Sequence, residues 1–247
     1  MAKKTTPKKK PAKNTKTPEK RTTGQKIFRF VWKTALWFNI ISIFLVLLFK
    51  FVPVPFTPLM GIRAIQQKMD GKEVVFSHKW VAIEHISPNL QKAVIASEDG
   101  RFLEHNGFDF KAMEKAFEGN KNGKKIKGGS TISQQTAKNV FLWPGRSYIR
   151  KAFEAYYTVL IELIWGKERI MEVYLNSIEM GDGVYGAQAA AKHWYRKEAK
   201  NLSSYEAAGI AAILPSPRKY KATNSGPYVA RRKATIARYI PMTKLDY

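Results

Sequence analysis

The 247-residue sequence has no cysteine, only four histidines and few acidic residues. Without cysteine the chain can form neither disulfides nor zinc-thiolate sites, and it has no thiol nucleophile. The four histidines form no convincing metal-binding pattern. Because only 19 Asp and Glu oppose 43 Lys and Arg, the formal net charge is +24. This excess indicates an anionic partner such as nucleic acid, phospholipid or a pyrophosphate-bearing molecule.

The N-terminal region divides into a basic tail and an apolar stretch. Residues 1–26 are rich in Lys, Thr and Pro, and we predict a disordered tail because too few apolar side chains offset the entropy of ordering. Residues 27–52 are predominantly apolar. About 20 such residues in a helix cross a hydrocarbon core of about 30 Å. We therefore predict a transmembrane helix at 27–52.

Charge around this helix predicts its orientation. Up to Lys33 there are twelve Lys and Arg and one acidic residue, so the positive-inside rule keeps the N-terminus in the cytoplasm. Residues 53–247 then form an extracytoplasmic domain. A cleaved signal peptide is the rival interpretation, but no small-residue cleavage site follows Phe51. A buried helix of a soluble protein is the other alternative.

Capping residues predict several helices in residues 53–247. Ser87 precedes a helix that ends at Glu98, Ser147 precedes one that reaches Trp165, and a Ser203-x-x-Glu206 capping box opens another. Residues 167–180 form a further predicted helix. The domain is therefore expected to be mostly α-helical.

Asp109 is a candidate cap for a helix on which Phe110, Met113 and Phe117 share one face. Gly119 is expected to end this helix, and a lysine-rich loop over residues 120–127 follows. The apolar face is either ordinary core or a flap that lies on a membrane. The sequence leaves both interpretations open.

Two polar clusters carry the most specific chemistry. The first runs from Ser97 to Gly107 and places Glu98 at the end of a helix, where it projects from a rigid support. The second runs from Gly128 to Asn139, with Ser130 as a possible cap. Helical spacing puts Thr131, Gln135 and Lys138 on one face. A hydroxyl, an amide and a cation on one face suit an anionic or sugar-bearing ligand.

These clusters resemble the first two signature motifs of the peptidoglycan glycosyltransferases. That lysozyme-like family polymerises lipid II and also forms the N-terminal module of bifunctional penicillin-binding proteins. The similar stretches are Glu-Asp-x-x-Phe-x-x-His-x-Gly from Glu98 and Gly-Gly-Ser-Thr-Ile-x-Gln-Gln-x-x-Lys-Asn from Gly128. Residues 150–154 and 169–176 resemble the later motifs. One departure is Ser133, where the family more often has threonine; the hydroxyl is kept.

The resemblance implies a mostly α, lysozyme-like glycosyltransferase domain preceded by a single transmembrane helix. The implied reaction joins lipid II units into β-1,4-linked glycan strands with inversion at the anomeric carbon and release of the lipid pyrophosphate. The implied location is the bacterial inner membrane, with the catalytic domain in the periplasm. Lipid II, the growing lipid-linked glycan, membrane phospholipid and other cell-wall synthesis proteins are the expected partners, and nucleic acid is not.

The implied chemistry assigns roles to four charged residues. The acceptor is a sugar 4-hydroxyl, which attacks poorly until a base removes its proton, and we expect Glu98 to be that base. The leaving pyrophosphate needs its charge neutralised, which Lys138 and Arg150 are expected to do. Glu154 is the expected second catalytic carboxylate, orienting these cations or a divalent Mg or Mn ion at the pyrophosphate.

The other motif residues are expected to support the site or to bind substrate. Asp99 is expected to orient Glu98, His105 to support the loop more than to touch substrate, and Phe102 to pack beneath the loop more than to hold a sugar. The full set expected to bind substrate comprises Asp99, Phe102, His105, Ser130, Thr131, Gln134, Gln135, Lys138, Asn139, Arg150 and Lys151. Near the C-terminus a basic group is interpreted as a solvated face, or one attracted to anionic lipid: Arg218, Lys219, Arg231, Arg232 and Lys233.

Three other functions are compatible with parts of the sequence. A lysozyme-like lytic enzyme would share the fold and a catalytic Glu but would cleave glycan. A membrane-tethered nucleic-acid binder is suggested by charge alone, yet the basic tail and the domain are expected on opposite sides of the membrane. A bifunctional penicillin-binding protein is not expected, because no Lys-Thr-Gly partner accompanies the Ser-x-x-Lys of residues 216–219.

Overall fold

The computed structural model describes residues 22–121, 129–145 and 147–247. This part of the chain is mostly helical, as the sequence predicts. Its helices are α1 (Thr23–Phe51), α2 (Pro58–Met69), α3 (Pro88–Glu98), α4 (Phe110–Lys121), α5 (Ile132–Phe141), α6 (Tyr148–Ile164), α7 (Lys167–Ser177), α8 (Gly186–Tyr195), α9 (Ser204–Ile213) and α10 (Pro227–Tyr239). Its strands are β1 (Ser77–His78), β2 (Glu179–Gly181) and β3 (Val184–Tyr185). Short 3₁₀ turns lie at Ile83–His85, Ala199–Asn201 and Ile240–Met242.

Helix α1 has 29 residues and starts at Thr23, four residues before the boundary predicted at residue 27. At 1.5 Å per residue it is about 43 Å long, enough to cross a bilayer core. Large side chains such as Trp32 and Phe44 point outward. Within the described residues it is the one helix long and apolar enough to span a membrane, and it is compatible with a single-pass anchor. Residues 1–21 of the predicted tail lie outside the described part.

The chain divides into two compact units between Ile41 and Ser42. The C-terminal end of α1 therefore belongs to the second unit, with the rest of the domain. Arg169 of α7 caps that end by donating to the carbonyl oxygens of Phe49 and Val52, each at 2.7 Å. Trp165 adds a hydrogen bond from its indole to the Val46 carbonyl at 2.7 Å. The bonds from Arg169 satisfy carbonyls that a helix C-terminus leaves without partners, and the bond from Trp165 is made one turn earlier. The last turns of α1 are thereby bonded to the helical domain.

Two groups of helices form the core. Helix α9 packs against both α3 and α10, and α5 packs against α6 and α7. Every residue of α9 from Ala207 to Ile213 is buried. A side chain at Gly209 would lie 2.2 Å from the Tyr195 hydroxyl, so only glycine permits this packing. Helices α3, α5 and α6 therefore carry the polar motifs on rigid supports.

A small sheet replaces the end of one predicted helix. Helix α7 stops at Ser177, so the prediction that it continues to residue 180 is wrong, and residues 179–181 form β2. Strand β3 pairs antiparallel with β2 and parallel with β1. Between β2 and β3, Gly183 has a φ of +71°, and a Cβ there would lie 2.1 Å from the Val75 carbonyl. The positive φ and the lack of room for a side chain favour glycine in this turn. The pairing of β2 with β3, which residue patterning does not encode, takes residues 179–181 out of the predicted helix.

The predicted caps are mostly confirmed. Ser87 and Ser147 cap α3 and α6, and Ser203 forms the expected capping box with Glu206. Asp109 accepts from the Ala112 amide at 2.9 Å at the start of α4. Two boundary predictions are wrong. Helix α4 runs past Gly119 to Lys121, and α5 is capped by Thr131 in place of Ser130.

The predicted apolar face of α4 is not core. Phe110 is 73% exposed and Met113 is 43% exposed, which contradicts the core interpretation and leaves the membrane flap as a hypothesis. The side chain of Phe117 and residues 122–127 of the predicted lysine-rich loop lie outside the described residues.

Candidate active site

Glu98 is the last residue of α3, as the sequence predicts. Its carboxylate is partly exposed, with 14% of the side chain accessible. Three groups donate to it: the Ser97 hydroxyl at 3.2 Å, the Gln135 amide at 3.2 Å and the Arg232 guanidinium at 3.1 Å. The carboxylate is therefore held from three helices, α3, α5 and α10, while part of it stays open.

Asp99 joins the two motifs behind Glu98. Its carboxylate accepts from His105 Nε2 at 2.9 Å and from the backbone amide of Ile132 at 2.9 Å. Ile132 is the first residue of α5, where an anion also stabilises the helix dipole. Asp99 and His105 are both buried. Asp99 therefore ties the first motif to the start of α5, and the scaffold role of His105 stays a prediction.

The beginning of α5 is fixed by a second set of bonds. Thr131 Oγ1 accepts from the Gln134 amide, and the Gln134 side chain accepts from the Thr131 amide, which completes a capping box. Thr131 Oγ1 also donates to the Gly107 carbonyl at 2.7 Å. Thr131, Gln134 and Asn139 are buried, whereas Ser130 is exposed. Of these four side chains, only that of Ser130 is accessible to a ligand in this conformation.

Gln135 connects Glu98 to a residue that the sequence analysis did not select. The Tyr174 hydroxyl of α7 donates to Gln135 Oε1 at 3.3 Å, and the Gln135 amide then donates to Glu98. Tyr174 is fully buried. Burial raises its pKa well above 10.0, and the charges of Glu98 and Asp99 raise the pKa further. Tyr174 therefore stays a protonated donor that fixes the orientation of Gln135.

Arg150 and Glu154 form the predicted pair on α6, with 2.7 Å between Arg150 Nη1 and Glu154 Oε2. Lys151 donates to the other carboxylate oxygen. Glu154 is only 3% exposed and Arg150 only 8%. A buried carboxylate with a cation on each oxygen has its desolvation offset by these partners.

Lys138 links the two carboxylates electrostatically. Burial lowers the pKa of its ammonium below 10.5, and Arg150 and Lys151 lower it further. Glu154 and Glu98 act in the opposite sense and raise the pKa. One ammonium thus interacts with both carboxylates and both α6 cations. The predicted base and the predicted phosphate-binding cations therefore belong to one cluster.

Phe102 is fully buried and has no surface from which to touch a sugar in this conformation. The Lys167 ammonium lies 4.7 Å from the centre of its ring. Lys167 also pairs with Glu162 at 2.7 Å and donates to the His105 carbonyl, while Ser133 donates to Glu162. This network supports the first motif from α6 and α7. Glu162 and Lys167 lack any sequence signal that separates them from ordinary surface charges.

Asp99, His105 and Asp109 bring potential metal-ligand atoms within 4.8 Å of one another, a grouping that sequence spacing did not suggest. Arg101 donates to Asp109 at 3.0 Å, and His105 donates to Asp99. Both carboxylates thus have cationic or hydrogen-bonding partners already. Ion pairing within the protein accounts for this grouping.

The C-terminal basic group is not the uniform solvated face that was predicted. Arg232 of α10 reaches Glu98, and Arg218 pairs with Asp182 at 3.2 Å. Lys233 is 8% exposed, and its ammonium lies 3.8 Å from the centre of the Tyr205 ring. Arg231, by contrast, is exposed. Helical periodicity predicts that Arg231 and Arg232 point in different directions. Only the packing of α10 against α3 shows that Arg232 is the one that contacts Glu98.

Comparisons with known proteins identify the family of this chain. A family model described as Transglycosylase matches residues 66–240. A biosynthetic peptidoglycan transglycosylase of Bdellovibrio bacteriovorus is 53% identical over 217 residues, 87% of this chain and 86% of the relative. Similar proteins with the same description occur in Caulobacter vibrioides, 54% identical over 81% of this chain and 85% of the relative, and in Bacteroides thetaiotaomicron, 52% identical over 87% and 86%. The chain therefore belongs to the peptidoglycan transglycosylase family and is a glycosyltransferase.

Proposed function

We propose that this enzyme polymerises lipid II into β-1,4-linked glycan strands, with inversion at the anomeric carbon and Glu98 as the general base. The observation that carries the proposal is the partly exposed Glu98 carboxylate, which three donors hold at 3.1–3.2 Å. Lys138 interacts electrostatically with Glu98 and also with Arg150, Lys151 and Glu154 of α6. A base and a set of cations in one cluster suit a reaction that deprotonates a hydroxyl and releases an anion.

Glu98 would act on the acceptor. The sugar 4-hydroxyl attacks the anomeric carbon of the lipid-linked donor, and its proton passes to the Glu98 carboxylate. The new bond joins the hydroxyl oxygen to the anomeric carbon. Attack on the face opposite the leaving group inverts that carbon. The three donors around Glu98 fix its position before the substrate arrives, which lowers the cost of orientation in the transition state.

The cations would act on the leaving group. As the bond from the anomeric carbon to the phosphate oxygen breaks, its electron pair stays with the lipid pyrophosphate. Lys138 can neutralise part of this charge directly. Glu154 holds Arg150 and Lys151 in place from α6. Preorganised cations in a partly dry cleft stabilise developing negative charge more strongly than cations in water.

Two cations of α6 already pair with Glu154, one at each carboxylate oxygen. Their positive charges oppose a divalent cation at the same carboxylate. Glu154 would therefore orient Arg150 and Lys151 and not hold a metal ion.

The membrane arrangement is part of the proposal. Helix α1 would anchor the enzyme in the inner membrane, with the N-terminus in the cytoplasm and the domain in the periplasm. Bonds from Trp165 and Arg169 to the last turns of α1 would hold the domain close to the bilayer surface. The exposed Phe110 and Met113 of α4 suit contact with phospholipid. This placement lets the cleft meet a substrate whose lipid stays in the membrane, near other cell-wall synthesis proteins.

The test is polymerisation of labelled lipid II by the full chain in detergent, beside Glu98→Gln. We expect long glycan strands from the wild type and a rate at least about a hundredfold lower from the variant, because general-base catalysis contributes about 10²–10⁴-fold. Intact glycan is offered as a separate substrate. Cleavage of that glycan without strand growth would overturn the proposal and favour the lytic alternative.

A further inference from the structure

Arg232 makes the least expected contact with the proposed base. It lies on α10, 134 positions after Glu98 in the chain, yet its guanidinium donates to Glu98 Oε1 at 3.1 Å. The same Nη2 atom approaches the carbonyl oxygen of Ser97 at 3.4 Å. Ser97 belongs to the last turn of α3, where carbonyls lack helical partners and a cation is favoured by the helix dipole. Arg232 therefore binds both the end of α3 and the carboxylate that the end of α3 carries.

The contacts of the two Glu98 oxygens differ. Oε1 accepts from Ser97 at 3.2 Å and from Arg232 at 3.1 Å, which occupies both of its lone pairs. Within the described part of the chain, Oε2 accepts one hydrogen bond, from Gln135 at 3.2 Å. One lone pair of Oε2 is left for a proton. The charge-assisted bond from Arg232 is the stronger of the two at Oε1.

We infer that Arg232 is a positioning residue for the proposed base: with Ser97 it engages Glu98 Oε1 and turns Oε2 toward the acceptor hydroxyl. The inference rests on the proposed function, because it assumes that Glu98 accepts a proton. Arg232 itself does not touch the reacting atoms. It acts by holding one oxygen so that the other has a fixed direction.

The packing around Arg232 restricts the motion of its side chain. Helix α10 packs against α9 and α3, and the adjacent Lys233 is buried against the Tyr205 ring. Arg232 is half-buried, with 27% of its side chain exposed. A guanidinium held in this way offers its donors in a rigid fork, which a flexible ammonium does not.

Other charged groups also act on Glu98, so the effect of Arg232 must be separated from theirs. Lys138 of α5 interacts with it electrostatically, and Asp99 is its charged neighbour in sequence. The neutral Tyr174 of α7 acts on it through Gln135. Replacing Arg232 by glutamine leaves these groups in place. It removes one positive charge from Oε1 and leaves a side chain too short to reproduce the contact.

The experiment compares Arg232→Gln, Arg232→Lys and Arg231→Gln in the full chain with labelled lipid II. Arg231 is the matched control, because it is the adjacent arginine on the same helix and its side chain is exposed. We expect Arg232→Gln to lower kcat at least about tenfold with KM within about twofold, since a misplaced catalytic group can cost about 10²-fold. Arg232→Lys should recover part of kcat, and Arg231→Gln should match the wild type.

A pH profile separates positioning from a purely structural role. A carboxylate that loses its cationic partner is protonated more readily, so the acidic limb of kcat should move to higher pH in Arg232→Gln. Melting temperatures of all three variants are measured in the same detergent. A fall in kcat that follows a lower melting temperature, with an unmoved acidic limb, would overturn the inference. So would equal kcat values for Arg232→Gln and Arg231→Gln.

The inference and the proposed function fail in different ways. If the wild type builds no strands from lipid II, the proposed function fails before any variant is compared. If the wild type and Arg231→Gln build strands and Arg232→Gln builds them equally fast, the proposed function stands and the role of Arg232 is wrong.

Discussion

Arg150 and Glu154 lie one turn apart on α6 and form a buried ion pair with 2.7 Å between Nη1 and Oε2. On an exposed helix such a pair contributes only a few tenths of a kcal/mol, about 0.3–0.5. Here both residues are nine-tenths buried or more. Loss of Glu154 would leave the charge of Arg150 buried without this partner, whereas Glu154 also pairs with Lys151.

Glu154→Gln should therefore lower both stability and activity. We expect the free energy of unfolding to fall by roughly 3 kcal/mol, because removal of one partner from a buried pair costs about 3–5 kcal/mol. Denaturant unfolding in detergent measures the stability, and lipid II polymerisation measures the activity. The double variant Arg150→Met/Glu154→Leu should regain most of the stability without regaining activity. Recovery of activity in the double variant would show that the pair is only structural.

Lys138 should set an alkaline limit on activity. Burial lowers the pKa of its ammonium below 10.5, so the charge that neutralises the pyrophosphate is present below this lowered pKa and is lost as pH rises through it. We expect kcat/KM to fall at a pH below 10.5 in the wild type. In Lys138→Arg the fall should move to higher pH, because arginine keeps its charge to about pH 12. The exposed Lys200→Arg is the control, and the assignment would be wrong if both variants shifted the profile alike.

Tyr174→Phe should weaken the support of Glu98 without disturbing the core. The change removes the hydroxyl that donates to Gln135 at 3.3 Å and keeps the buried ring. We expect a loss of about 1 kcal/mol in stability, typical of one hydrogen bond, and a several-fold lower kcat. Unfolding curves and initial rates check these values. Tyr148→Phe, at a tyrosine that is 97% exposed, should change neither, and an active Tyr174→Phe with wild-type kcat would contradict the role.

Thr131 and Ser130 offer a direct test of which residue caps α5. Thr131→Val removes the acceptor of the Gln134 amide and the donor to Gly107, and we expect the free energy of unfolding to fall by about 2 kcal/mol. Thr131→Ser keeps the hydroxyl and should lose much less. Ser130→Ala should change stability by less than about 0.5 kcal/mol. Urea unfolding measures these changes. A larger loss of stability from the Ser130 substitution than from the Thr131 substitution would show that Ser130 caps α5, as the sequence predicted.

The local sequence pattern predicted those features that depend on interactions between residues close together in the chain. Ser87, Ser147 and Ser203 were recognisable as caps because a hydroxyl beside the first turn satisfies amides that the helix leaves free. The i, i+4 spacing of Arg150 and Glu154 placed them on one face of α6. Helix α7 was predicted too long because residues 179–181 pair with β3 in a sheet, which the spacing of apolar residues does not reveal.

The sequence by itself determined the helical class, the apolar N-terminal helix, the position of Glu98 at a helix end and the motifs that relate the chain to its family. Each of these follows from neighbours within about two helical turns or from a short string of residue types. Only the tertiary structure decided that Tyr174 orients Gln135, that Lys167 lies over Phe102 and that Arg232, and not Arg231, reaches Glu98. These contacts join distant parts of the chain, and their geometry depends on how α3, α5, α7 and α10 pack.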